Sequence, residues 1–236
     1  VILAGEDYPM TEAEWLAGDD QVPLLRHLGN GVSDRKLRLF AVACCRRLPP
    51  VGEELAGILA TCERFADGEA DEAELERACH AATEAILVAR DEAVRSSGLM
   101  SMAFAFPATA VAMTTVAPDR LREFVKLVPR SARLTTVGIE GDEGSERRAQ
   151  VAILHDLVGN PFRPITLDSA WLRHLDGGVR SFAEAVYADR RFDALPVLAD
   201  LLEEAGCAEQ AVLDHFRSPG PHHRGCWALD LVLGKE

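Results

Sequence analysis

An all-α fold, an irregular bundle of mostly short helices, is predicted from three features of the sequence. Apolar residues recur three and four positions apart through most of the chain, and segments open at Ser, Thr or Asp and close at Gly or Pro. No run alternates apolar with polar residues for more than a few positions, Leu134 to Ile139 being the one plausible strand. The expectation is about eight to eleven helices in a single helical domain over residues 10–236, with residues 1–9 as a peripheral extension ahead of Met10. Two lobes divided at residues 131–145 are the alternative arrangement.

Thr11 and Glu14 have capping-box spacing, so a short helix carrying Trp15 and Leu16 follows and Gly18 closes it. Val22-Pro23-Leu24-Leu25 with Leu28 makes a second, because proline is tolerated in a first turn, and Gly29-Asn30-Gly31 ends it. Ser33 caps a longer helix with the apolar face Leu37, Phe40, Ala41, Cys44 and Leu48, stopped by Pro49-Pro50. Arg35, Lys36, Arg38, Arg46 and Arg47 fall largely on its other faces, where they either bind an anion or pair with surrounding acids. Adjacent Cys44 and Cys45 point about 100° apart on a helix, which suits buried thiols and not a disulfide.

Glu53 to Phe65 and Glu72 to Ser96 continue the helical period as two antiparallel helices joined at Ala66 to Asp71. Cys79 and His80 are neighbours in sequence and so do not face each other on a helix. Leu99 to Ala117, broken by Pro107, reads as a packed connection or an apolar cover. Pro118 opens a helix through Leu121, Phe124, Val125 and Val128, and Pro129 ends it. Ser131 to Ser145, with three glycines and no core pattern, reads as an exposed loop. Ser145 then opens a helix carrying Val151, Leu154, His155 and Val158 to a stop at Gly159-Asn160.

The last third holds the residues that are hardest to place in a helical protein. In Asn160-Pro161-Phe162-Arg163-Pro164 each proline pushes its predecessor toward extended geometry, and burial of Phe162 is expected to anchor the loop. Arg163 is then held in place, either as a clamp for a carboxylate or phosphate or as a tie to a helix end. Asp168 caps a helix carrying Trp171 and Leu172. Beyond Gly177-Gly178, Val179, Phe182, Ala183, Val186 and Tyr187 form one stripe, and Leu195, Leu198, Ala199 and Leu202 a second, with Asp193 as its cap and Gly206 as its end.

Composition narrows the partners. A formal charge of −13 opposes nucleic acid and anionic membranes, so a helical nucleic-acid binder using the Arg35 to Arg47 cations is disfavoured. Hydrophobic content of 48% is ordinary for a globular chain, and no apolar run reaches the roughly 20 residues of a membrane span. The six cysteines lie mostly within apolar helical patterns, so reduced thiols and a cytoplasmic location are expected.

One constellation can carry chemistry. His222 and Cys226, four apart, would share a face of a helix starting near Pro221, and Cys207 with His215 could approach from the preceding helix to complete a tetrahedral zinc set. No Cys-x-x-Cys pair anchors it, and caps, core thiols and exposed histidines account for the same residues. A catalytic version takes Cys226 as nucleophile, His215 or His222 as base, and Asp230 or Asp214 as the orienting group. The chain carries no phosphate loop, dinucleotide fingerprint or hydrolase elbow. Two readings therefore stand. One is a non-enzymatic interaction or regulatory module that binds another protein and needs no cofactor. The other is a metal-binding or hydrolytic enzyme centred on Cys207, His215, His222 and Cys226, with Arg163 as an anion site.

Ser33-Asp34-Arg35-Lys36-Leu37-Arg38-Leu39-Phe40-Ala41-Val42-Ala43-Cys44-Cys45-Arg46-Arg47 resembles a segment of an expanded, uncharacterised group of proteins in planctomycete bacteria. The stretches from Gly159 to Pro164, Phe192 to Asp200 and His222 to Lys235 resemble the same group. The resemblance implies a bacterial cytosolic protein from a large paralogous set, and such sets serve recognition or regulation more often than one metabolic reaction. It carries no site residue across, because no activity is established for the group.

Overall fold

The structure is a computed structural model and describes residues 9–47, 53–95, 115, 121 and 143–236. Among the described residues are eleven α-helices, one 3-10 turn and no strand, as the helical periodicity predicts. No helix among them is long and apolar enough to cross a membrane. Contacts divide the chain into two compact units, Val1–Leu154 and His155–Glu236.

In the first unit, α1 (Glu12–Ala17) starts on the predicted capping box. The Thr11 hydroxyl accepts the Glu14 amide at 3.2 Å, and the Glu14 carboxylate accepts the Thr11 amide at 2.7 Å. Trp15 is buried and Gly18 closes the helix. In α2 (Gln21–Leu28), Asp20 supplies the cap through the Val22 amide. Helix α3 (Asp34–Arg46), capped by Ser33, is buried at every position from Leu37 to Cys45, a wider face than a single stripe. It packs on α4 (Glu53–Ala66), which packs in turn on α5 (Glu72–Arg95).

The α3 arginines pair with acids. Arg35 meets Asp67 at 2.7 Å, Arg46 grips Glu63 through two bonds at 2.9 and 2.7 Å, and Arg47 grips Glu146 at 2.9 to 3.2 Å. Arg38 is itself buried, its guanidinium 5.0 Å from the centre of the Phe65 ring. Cys44, Cys45 and Cys62 are buried thiols outside any disulfide, and burial pushes the Cys45 thiol well above its ordinary range.

Helix α6 (Glu143–Val158) begins two residues earlier than Ser145, and the division between the units falls near its end. The remainder of the expected 131–145 loop lies outside the described residues. So do Leu48 to Pro50, the 134–139 strand, and, apart from Thr115 and Leu121, the 99–117 connection and the Pro118 helix.

The second unit contains α7 (Ser169–Leu172), α8 (His174–Asp189), a 3-10 turn (Phe192–Ala194), α9 (Leu195–Glu204), α10 (Gln210–Arg217) and α11 (Trp227–Leu233). The two predicted stripes are buried through Val179, Ala183, Val186, Tyr187, Leu195, Leu198, Ala199 and Leu202. They close one core with Val212, Leu213 and Phe216 from α10 and Ala228, Leu229 and Val232 from α11. Leu175, Asp176 and Gly177 hold left-handed backbone, so regular helix in α8 starts only after them.

Three local expectations are corrected. Phe162 is 37% exposed and does not anchor its loop. The turn is held by Asn160, whose side-chain oxygen accepts the Phe162 amide at 3.0 Å. Asp193 does not cap α9, because the 3-10 turn runs into the helix and Ala194 occupies the cap position without a side-chain bond. Residues 219–226 form no helix, and α11 begins at Trp227.

Candidate metal centre

The second unit brings together Asp156 from the last turn of α6, His215 from α10, His222 from the loop before α11, and Cys226 at the start of α11. One ligand atom from each lies within 4.8 Å of the others. Cys226 is fully buried, and the Asp156 side chain is 5% exposed. Three of the four predicted ligands, His215, His222 and Cys226, do converge, although His222 and Cys226 meet through a loop and not along a helix face. His223 turns that loop, with its carbonyl accepting the Cys226 amide at 2.9 Å.

Cys207 is not in the set. It follows α9 inside the hydrophobic core, its amide bonded to the Leu202 carbonyl at 2.9 Å, and Asp156 stands where a second thiol was expected. Arg163 lies exposed on the loop after α6, its amide bonded to the Asn160 carbonyl at 3.1 Å. The orienting acids of the catalytic reading lie elsewhere: Asp214 is exposed and accepts the Gln210 side chain, and Asp230 is buried within α11.

Asp156 is the hub. Its Oδ1 lies 3.1 Å from His222 Nδ1 and 3.3 Å from His215 Nε2, while Oδ2 takes the His223 amide at 2.8 Å and His223 Nδ1 at 2.9 Å. Burial alone would raise its pKa, but the hydrogen bonds from His215, His222 and His223 outweigh it and hold the carboxyl well below the usual carboxylate range. For His222, burial pulls down and the Asp156 carboxylate more than restores it, so its pKa is raised.

Donor and acceptor arithmetic tests whether these residues suit a metal. His222 Nε2 lies 3.3 Å from the Ser218 carbonyl, an acceptor, so that nitrogen carries a proton. Nδ1 then turns toward an anionic oxygen that cannot donate. A proton on Nδ1, or a cation in its place, makes that contact favourable. Tetrahedral zinc with bonds of about 2.0 to 2.3 Å spaces its ligand atoms about 3.3 to 3.7 Å apart. Three of the six ligand-atom pairs, His215 Nε2 to Cys226 Sγ at 3.0 Å, His222 Nδ1 to Asp156 Oδ1 at 3.1 Å and His215 Nε2 to Asp156 Oδ1 at 3.3 Å, match or are slightly tighter than that spacing, and all six lie within 4.8 Å.

His215 is the one imperfect member. The Trp227 indole, which can only donate, reaches its Nδ1 at 3.3 Å, so Nε2 carries the proton in this arrangement. Ligation through Nε2 moves that proton to Nδ1 and requires the indole to give up its bond. Trp227 in turn lies against Gly159, where an added Cβ would come within 3.0 Å of the ring on backbone of φ +72°.

The sequence reading missed Asp156 and the part played by His223. A signal for Asp156 was present: it lies three residues after Ile153 and beside Leu157, an acid on the buried side of a helix. No family model, curated protein or solved structure matches the chain.

Proposed function

We propose that the second unit is a metal-binding, non-catalytic helical module in which Asp156, His215, His222 and Cys226 hold one zinc(II)-class ion. The observation that carries this reading is the convergence of four metal-compatible ligand atoms within 4.8 Å from separate stretches of the chain, largely shielded from solvent. Four protein ligands fill a tetrahedral ion's coordination shell, which is the pattern of a structural site, whereas a catalytic zinc keeps one position for water or substrate. Such an ion would pin the end of α6 to α10 and to the loop entering α11.

The same geometry weighs against a hydrolytic Cys226. Its thiol is fully buried, and its neighbour His215 already uses Nδ1 as an acceptor, so Nε2 is a donor and not a base toward sulfur. The module's work is then recognition, with another protein as partner, and the charge of −13 favours a basic face on that partner.

Metal analysis by mass spectrometry on untagged protein tests the site. One equivalent of zinc is expected in the wild type, with loss in Cys226→Ala and Asp156→Asn. Folded wild-type protein that neither retains zinc nor takes it up on reconstitution would overturn the reading.

A further inference from the structure

We infer that His223 is the positioning residue of this centre: it restricts Asp156 to a single coordinating oxygen and so favours a small four-coordinate cation, zinc(II) or cobalt(II), over magnesium and calcium. The inference rests on the metal-binding reading above. Its basis is the division of labour between the two carboxylate oxygens. Oδ2 receives two donors from one residue, the His223 amide at 2.8 Å and its Nδ1 at 2.9 Å. Oδ1 faces the ligand nitrogens of His222 and His215 at 3.1 and 3.3 Å.

A carboxylate with one oxygen committed in this way binds a metal through the other. Calcium prefers six to eight oxygens with frequent bidentate carboxylates, and magnesium demands an octahedron of oxygens. A monodentate aspartate with two imidazoles and a thiolate meets neither demand and suits zinc or cobalt. His223 also fixes a second ligand, because its carbonyl accepts the Cys226 amide at 2.9 Å. One residue thus ties together ligands 70 positions apart, Asp156 and Cys226.

The amide at position 223 is available in most variants, so the ring nitrogen is the part that substitution can remove. Asparagine places its Nδ2 near the position of histidine Nδ1, whereas glutamine reaches toward that of Nε2 and alanine offers nothing. The test uses the full chain as wild type, His223→Ala, His223→Asn and His223→Gln. Zinc affinity is read by competition with a chromophoric chelator, and cobalt(II) absorption reports coordination number.

Wild type should give intense four-coordinate cobalt bands with a thiolate charge-transfer band. His223→Ala and His223→Gln should bind zinc about 10- to 100-fold more weakly, with cobalt bands weakened toward five-coordination as Asp156 becomes bidentate. His223→Asn should stay near the wild type in both readouts. If His223→Ala does not fold, the contrast between the Asn and Gln variants decides. Equal zinc affinity and unchanged cobalt bands across the folded variants would overturn the role of His223 while leaving the metal site intact. A wild type that binds neither metal would overturn the underlying reading instead.

Discussion

Trp227 is subject to two competing demands. Its indole N–H satisfies His215 Nδ1 at 3.3 Å, and its ring lies against Gly159. A metal on His215 Nε2 requires a proton on Nδ1, and two donors then face each other. Loading must therefore break this hydrogen bond, worth about 1 kcal/mol net. Trp227→Phe removes the opposition, so it should bind zinc about five-fold more tightly than the wild type, as expected from that one bond. The wild type should show a tryptophan emission change on zinc addition that is absent in the variant. Identical affinities with no emission change in either protein would show that His215 does not ligate through Nε2. None of this was legible from residue types alone. What residue types do convey here is the apolar side on which α11 docks, and Cys226, Leu229 and Leu233 are buried on it.

At the scale of elements, α3 displays what periodicity conveys and what it leaves open. The face from Leu37 to Cys44 and the Ser33 cap follow from local sequence. The choice between an anion site and ion pairing did not, because the paired acids lie 17, 32 and 99 positions away, at Glu63, Asp67 and Glu146. Glu146 is almost wholly buried, with its side chain 1% exposed, while Arg47 is 39% exposed. Removing the cation leaves a buried carboxylate with less compensation, which for fully buried pairs destabilises by about 3 to 5 kcal/mol. Because Arg47 is partly in water, Arg47→Ala should lose about 2 to 3 kcal/mol, at or just below that range. The double variant Arg47→Met with Glu146→Leu should recover most of the loss. Urea denaturation of the two variants decides it, and equal losses in both would show that the isolated carboxylate is not the source of the instability. Phe162 and Asp193 mark the limits of local rules, since a side-chain turn at Asn160 and a 3-10 lead-in did what burial and capping were expected to do.

For the whole molecule, metal binding predicts a stability that depends on zinc and is concentrated in the second unit. With free zinc at 100 times its dissociation constant, a site present only in the folded state stabilises by about 2.7 kcal/mol. Hydrogen exchange should therefore slow on zinc addition at the end of α6, in α10 and from His222 into α11, and chelator should reverse it. Unchanged exchange in those stretches with zinc demonstrably bound would show that the ion does not tie them together. By itself the sequence determined the all-α class, most helix starts and stops, and two histidines and a cysteine of the candidate centre. Caps, helical period and breakers act over three or four residues, so they can be read locally. Only the tertiary structure decided that Asp156, and not Cys207, joins them and that His223 orients it. The reason is distance along the chain: Asp156 meets His222 and His223 across 66 and 67 positions. That meeting is set by how α6, α10 and the loop before α11 dock on one another, which no local pattern encodes.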